Sequence, residues 1–287
     1  MPEMPEVESL ARFLTEKCVG HAIDRIELLA FSALKTYDPP LSALHGLEID
    51  SVTRRGKFLD ISAQGLHLVF HLARAGWLRW RDSLPDAPAK PGKGPLALRV
   101  RLDDGSGFDL TEAGTQRKLA VYVVADPMSI PMVATLGPDP LTEEFDQELL
   151  AGLLAKAGRA QLKGVLKDQR TIAGIGNAYS DEILHAAKLS PFKPSNSLTE
   201  GEIGTLFTAI KDELADAIER ADGLAAKDLK GEKKSGLRVH GRKGEKCEVC
   251  GDTIAEVSFA DSSLQYCPTC QTGGKKLADR RLSKLLK

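Results

Sequence analysis

The sequence predicts an α+β, multidomain protein. An N-terminal β-sandwich with an N-terminal helix comes first, followed by a helical domain and a small module held by four cysteines. Three observations carry this reading. Through the first part of the chain, apolar residues alternate with polar ones at the period of half-buried strands. Beyond Leu136-Gly137-Pro138-Asp139-Pro140-Leu141 the apolar spacing becomes that of amphipathic helices. Near the C-terminus, four of the five cysteines fall in two Cys-x-x-Cys pairs. A chain of 287 residues suits about two domains with cores of their own.

The elements follow in order. Val7, Leu10, Leu14 and Cys18 share one face of a helix over 6–19, which Gly20 stops. Segments 58–62, 66–72, 96–102 and 118–124 have strand patterning, and 83–95, dense in Pro, Gly, Ala and Lys, is a loop. The sandwich is expected over 1–135 and a hinge over 136–145. A helical domain over 146–225 holds helices at 149–157, 162–167, 177–187 and 202–221, with Thr199 and Glu202 spaced as a capping box. Residues 226–245 are expected as a mobile basic loop, 246–271 as the cysteine module and 272–287 as a basic tail. Leu277, Leu282, Leu285 and Leu286 are spaced for a short amphipathic helix in that tail.

A formal net charge of −1 excludes a general polycation, so affinity for nucleic acid requires a local patch. The candidate patch surrounds the cysteine module: Lys230, Lys233, Lys234, Arg238, Arg242 and Lys243 before it, Lys275, Lys276, Arg280, Arg281, Lys284 and Lys287 after it. Charge runs are usually solvated surface, but beside such a module they suit a phosphate backbone. No secretory signal and no apolar run near the length of a membrane span is visible, so a cytoplasmic monomer without a membrane partner is expected.

Cys247-x2-Cys250-x16-Cys267-x2-Cys270 places four thiolates to close a tetrahedron around one Zn²⁺. Such a set has no open position, so the metal is structural. A redox role comes second, because neither pair sits in a βαβ setting. Cys18, on the apolar helix face, is core.

The opening Pro2-Glu3-Met4-Pro5-Glu6-Val7 carries the chemistry. Removal of Met1 leaves a secondary amine beside a carboxylate. An α-amine titrates at about 7.7–8.0 against about 10.4 for lysine, so far more of it is a free nucleophile at neutral pH. It can attack a sugar carbon, and Glu3 can move protons in the same space. By itself the motif also suits an ordinary helix start.

Four regions in one order resemble the formamidopyrimidine-DNA glycosylase and endonuclease VIII family. They are the opening just quoted, Arg54-Arg55-Gly56-Lys57, Gly174-Ile175-Gly176-Asn177-Ala178-Tyr179, and Val239-His240-Gly241-Arg242-Lys243-Gly244 with the paired cysteines behind it. The resemblance implies a helix–two-turn–helix element in the helical domain and a zinc finger after it. It further implies a DNA glycosylase with abasic-site lyase activity acting on damaged DNA, duplex or single-stranded. In that reading Pro2, Glu3 and Lys57 are catalytic. Gly176 and Asn177 bind a phosphate at the start of a helix, and Arg242 and Lys243 contact DNA. Lys57, near the amine, lowers its pKa. The alternative is a non-enzymatic damaged-DNA-binding protein of the same fold; an RNA- or ribosome-associated module is a third reading. The joint presence of Pro2, Glu3 and Lys57 favours the enzyme.

Departures from the family pattern concern the grip on DNA. Members usually carry an arginine five residues before the third zinc cysteine, where this chain has Ser262, and Asp252, Glu256 and Asp261 make the intervening stretch acidic. Arg74 stands where the family often has a methionine wedge. Leu110-Thr111-Glu112-Ala113-Gly114-Thr115-Gln116-Arg117-Lys118 replaces a loop of the Asp-Pro-Arg-Arg-Phe-Gly type. These changes imply weak activity on duplex lesions and better activity where less opening is needed.

Overall fold

The structure, a computed structural model, describes residues 1–90, 92, 94–260 and 262–278. It divides into two compact units, one of residues 1–135 with 220–232, the other of residues 136–219 with those from 233 on.

In the first unit, helix α1 (Met4–Cys18) precedes eight strands: β1 (Ile23–Leu28), β2 (Ile49–Arg55), β3 (Phe58–Ala63), β4 (Leu66–His71), β5 (Gly76–Arg81), β6 (Leu96–Leu102), β7 (Gly107–Glu112) and β8 (Ala120–Val124). They form two antiparallel four-stranded sheets, ordered β1-β6-β7-β5 and β2-β3-β4-β8. Leu98, Val100, Phe108 and Leu110 of the first sheet share one core with Leu59, Ile61, Leu68, Phe70 and Val121 of the second, so the sheets make the expected sandwich. The α1 face of Val7, Leu10, Leu14 and Cys18 is fully buried in that core. Burial pushes the Cys18 thiol up to about 12, consistent with packing and no reactivity. A short helix α2 (Pro131–Ala134) ends this stretch.

The second unit holds α3 (Gln147–Ala157), α4 (Leu162–Lys167), α5 (Asn177–Ala186) and most of α6 (Glu200–Ala221). Asp146 caps α3 by accepting from Leu149 N at 2.7 Å, and Glu202 accepts from Thr199 N at 2.9 Å ahead of α6. Strands β9 (Ala255–Ser258) and β10 (Ser263–Tyr266) pair as a hairpin, and α8 (Pro268–Thr272) follows. No helix among the described residues is long and apolar enough to cross a membrane.

Residues 226–245 differ from the mobile loop expected of them. They contain α7 (Leu229–Gly236), and Ala226 and Leu229 are buried in the sandwich core. The polar composition hid two anchoring apolar residues that bury only once the sandwich exists. Past α7, Glu182 accepts from Arg238 N, Val239 N and His240 N at 2.8, 3.0 and 2.7 Å and fixes the backbone there. Of the basic tail, Leu277 N donates to the Tyr266 hydroxyl at 2.7 Å; residues 279–287, with their expected helix, lie outside the described residues.

Candidate functional site

The N-terminal corner is assembled from short devices. Glu3 is the N-cap of α1, and Glu6 Oε2 accepts from Glu3 N at 2.7 Å as part of a capping box. Pro2, Glu3 and Glu6 are all buried, whereas Met1 is 48% exposed. Packing of α1 on β2 and β3 is secured by Arg54, whose Nε donates to Glu8 at 2.8 Å and whose second nitrogen donates to the Gly56 carbonyl at 3.2 Å. Between β2 and β3 the chain turns in two residues, Gly56 and Lys57, with Arg55 opposite Phe58. Gly56 takes φ +57°, which a type II′ turn requires at its first central position. Lys57, its second residue, is buried.

His71 joins this corner, and sequence reasoning passed over it. Phe58 and His71 are partners in the β3–β4 ladder, with ring centroids 4.8 Å apart. Burial, and then the charge of Lys57, push the imidazole down to about 4, so it is neutral at pH 7. Its Nδ1 accepts from Ala73 N at 3.0 Å, which puts the proton on Nε2 as a donor. The sequence signal was the spacing His71-Leu72-Ala73, meaningful only after the strand pairing is known.

Arg74 lies at the tip of the crossing from β4 to β5 and is exposed. The tip is tightly framed: Ala73 has φ +51°, and Gly76 N donates to the Leu72 carbonyl at 2.9 Å. A Cβ on Gly76 would stand 2.1 Å from that carbonyl oxygen. At the end of β7, buried Glu112 accepts from Lys118 N and Leu119 N at 2.7 and 3.0 Å, closing the altered loop.

In the second unit, Gln169 sews the glycine turn together. Its Oε1 accepts from Gly174 N at 3.0 Å, and its Nε2 donates to Ile175 O at 2.7 Å. Gly176 is the extended N-cap of α5, and Asn177 is the first helical residue. Asn177 Nδ2 donates to the Ser263 carbonyl at 2.8 Å, which ties its amide to the β9–β10 hairpin and leaves the second Nδ2 hydrogen outside that bond. Below it, buried Lys163 donates to Asn177 O, Ser180 Oγ and Asp181 Oδ1 at 2.9, 2.8 and 2.6 Å. Asp181 Oδ2 meets His240 Nδ1 at 2.7 Å and Gln265 N at 3.2 Å, linking α5 to the finger. Sequence reasoning missed this network because its members are far apart along the chain.

Cys247, Cys250, Cys267 and Cys270 place their sulfurs within 4.8 Å of one another, with 3.9 Å between Cys247 and Cys270 and 3.3 Å between Cys250 and Cys267. Sulfurs about 2.3 Å from a zinc stand about 3.8 Å apart in a tetrahedron, so this donor set fits one structural Zn²⁺. His185 Nε2 lies 3.3 Å from Cys247 Sγ and orients it. Part of the basic charge beside the finger is matched internally. Arg242 bonds Glu245 at 2.7 Å and Glu248 at 2.5 Å, and Lys243 pairs with Glu256 at 3.0 Å. Asp252 accepts from Thr269 Oγ1 at 2.8 Å. Two of the three acids counted against DNA are therefore engaged within the finger; Asp261 lies outside the described residues. Ser262 closes the hairpin tip, its carbonyl accepting from Phe259 N at 2.8 Å.

Comparison with known proteins agrees with this layout. Residues 1–119 match the formamidopyrimidine-DNA glycosylase N-terminal domain, 136–228 the H2TH (helix–two-turn–helix) domain of the same enzyme, and 244–273 the zinc finger found in FPG and IleRS. The formamidopyrimidine-DNA glycosylase of Symbiobacterium thermophilum is 35% identical over 98% of this chain and 93% of its own length. An uncharacterized formamidopyrimidine-DNA glycosylase-like protein of Mycobacterium tuberculosis is 58% identical over 55% of this chain and 98% of its own length. Among solved structures, the Lactococcus lactis formamidopyrimidine-DNA glycosylase bound to abasic-site DNA superposes with TM-score 0.81 at 30% identity, covering 94% of this chain and 99% of that one. MutM in complex with DNA containing carbocyclic 8-oxo-G gives 0.82 at 30% identity, covering 94% and 100%.

Proposed function

The chain belongs to the formamidopyrimidine-DNA glycosylase family, and on that premise we propose that it excises damaged bases from DNA and nicks the resulting abasic site. The observation that carries this reading is the buried Pro2-Glu3 start of α1, clamped by Arg54 to the turn that bears Lys57. With Met1 removed, the Pro2 nitrogen attacks C1′ of an extruded nucleotide and the base departs, taking a proton. The nitrogen lone pair then forms an iminium with the opened sugar. The iminium acidifies C2′; loss of that proton and departure of the 3′ phosphate break the strand. Glu3 carries protons in these steps. Lys57 and the His71 Nε2–H supply donors for the phosphate beside the lesion, and the amides at the start of α5 take another phosphate. The zinc performs no chemistry; its cysteines fix the hairpin that Asn177 holds.

Borohydride reduction on an oligonucleotide with one abasic site tests the proposal. A covalent adduct mapped by peptide sequencing to Pro2 is the expected result. An adduct solely at a lysine removes Pro2 from the mechanism, and binding without any adduct identifies a non-enzymatic DNA binder.

A further inference from the structure

The first unit contains a second cleft, of about 710 Å³, lined by no candidate catalytic residue. Phe13 on its wall lies nine residues beyond Met4 on α1, roughly 13 Å along the helix axis from the Glu3 end. Both tryptophans of the chain, Trp77 and Trp80, line it. Trp77 is fixed by donating to the Ala226 carbonyl at 3.0 Å, and Trp80 by an edge contact to Phe13 at 5.8 Å and a bond to Asp82 at 2.9 Å. Asp82 is the single carboxylate among the lining residues, against five cationic side chains. Of these, Lys230 lies 4.6 Å from the Trp77 ring centroid. Burial, and then the charge of Arg79, lower the Lys230 pKa, so like charges are pressed together at an aromatic wall. An anion between them relieves that repulsion, and a flat apolar group beside the anion covers the half-buried indole of Trp80, Trp77 being only 6% exposed behind it.

We propose that this cleft binds a nucleotide unit, with its base against the tryptophan wall and its phosphate held by Arg79, Lys227 and Lys230. Arg81 of the lining pairs with Asp109 at 3.6 Å, which leaves Arg79, Lys227 and Lys230 for a ligand; aromatic surface interleaved with such cations is the composition that recognises unpaired nucleotides without reading sequence. The size suits one such unit. The source is either a free mononucleotide or an unpaired nucleotide within a strand. The inference does not depend on imine chemistry at Pro2.

Because Trp77 and Trp80 are the chain's two tryptophans, selectively excited tryptophan fluorescence, free of the four tyrosines, reports on this cleft. The full chain is titrated with thymidine 5′-monophosphate, the 5′-phosphorylated thymidine dinucleotide, thymidine and inorganic phosphate. Saturable quenching by the two nucleotides is expected, with thymidine and phosphate each at least about tenfold weaker. Tighter binding of the dinucleotide supports the site with a strand as its source; equal binding supports it with a free nucleotide. The Arg79→Ala/Lys227→Ala variant should weaken nucleotide binding at least about tenfold with an unchanged melting temperature and unchanged borohydride trapping. Should that variant misfold, Trp80→Leu followed by calorimetry replaces it, and the nucleotide should then bind no better than phosphate. Absence of saturable quenching, phosphate as tight as nucleotide, or a variant equal to the parent would overturn the proposal.

Discussion

The N-terminal corner and the finger hairpin are built on opposite plans. At the corner, Glu3 and Lys57 are each set by a device a few residues long: a capping box at Glu3 and a two-residue turn at Lys57. At the hairpin, groups that look available for DNA are already engaged by other side chains or backbone of the protein: Lys243 by Glu256, Arg242 by Glu245 and Glu248, Asn177 by Ser263. The contrast separates two kinds of inference. A motif whose geometry is local transfers its chemistry with its letters. A cluster of charges does not transfer its affinity, because the partners of each charge decide how much field reaches a ligand.

Breaking the corner should have the largest effect. Glu3→Gln is expected to slow base excision about 10²–10⁴-fold, the range of a lost acid–base group. Nicking of a preformed abasic site should persist, since the iminium still forms; single-turnover assays on both substrates measure this. Next comes the metal. Cys267→Ser, or chelation, should drop zinc below one per chain and weaken DNA binding at least about tenfold, because metal binding and folding of such a module are one process. Metal analysis with a binding titration checks both, and full DNA affinity in a zinc-free protein would break the assigned role of the finger.

Restoring a charge at the hairpin sharpens the comparison. A charged hydrogen bond to phosphate contributes about 1.5–3 kcal/mol, so Ser262→Arg should raise duplex cleavage about tenfold and single-strand cleavage less. Matched oligonucleotides compared in single turnover decide this; equal gains would mean the added charge acts only through general attraction. Smaller effects follow from His71 and Glu256. The folded imidazole titrates at about 4, below its unfolded value of about 6.5. Between these values only the unfolded chain takes up the proton, so stability is intact above pH 6.5 and is lost as pH falls toward 4. His71→Gln should flatten that window in denaturation curves recorded against pH. Glu256→Gln frees Lys243, whose own side chain is largely solvent-exposed. Non-specific DNA binding should rise less than about threefold, with a steeper salt dependence.

Legibility in the sequence follows the same division. The sandwich, α1 with its buried face and the four-cysteine module all rest on short spacings, and those spacings are visible in one dimension. His71 was not legible, because its neutrality depends on Lys57 brought near by the β2–β3 turn and the β3–β4 ladder. The Lys163–Asp181–His240 network was not, because it joins three segments through buried side chains. Order in 226–245 escaped for a third reason. Ala226 and Leu229 are too few to give a periodic signal, yet their burial is enough to fix a polar segment.

The Leu72–Gly76 crossing carries a consequence for how such a protein diversifies. Any side chain at Gly76 collides with the Leu72 carbonyl, while the Arg74 side chain projects into solvent. Mutational tolerance is thus split within three residues: the frame admits almost no change and the tip admits nearly any. Drift at position 74 can change what this tip presents to solvent without passing through unfolded intermediates. The chemistry of this tip can therefore change by single substitutions on a scaffold that stays constant.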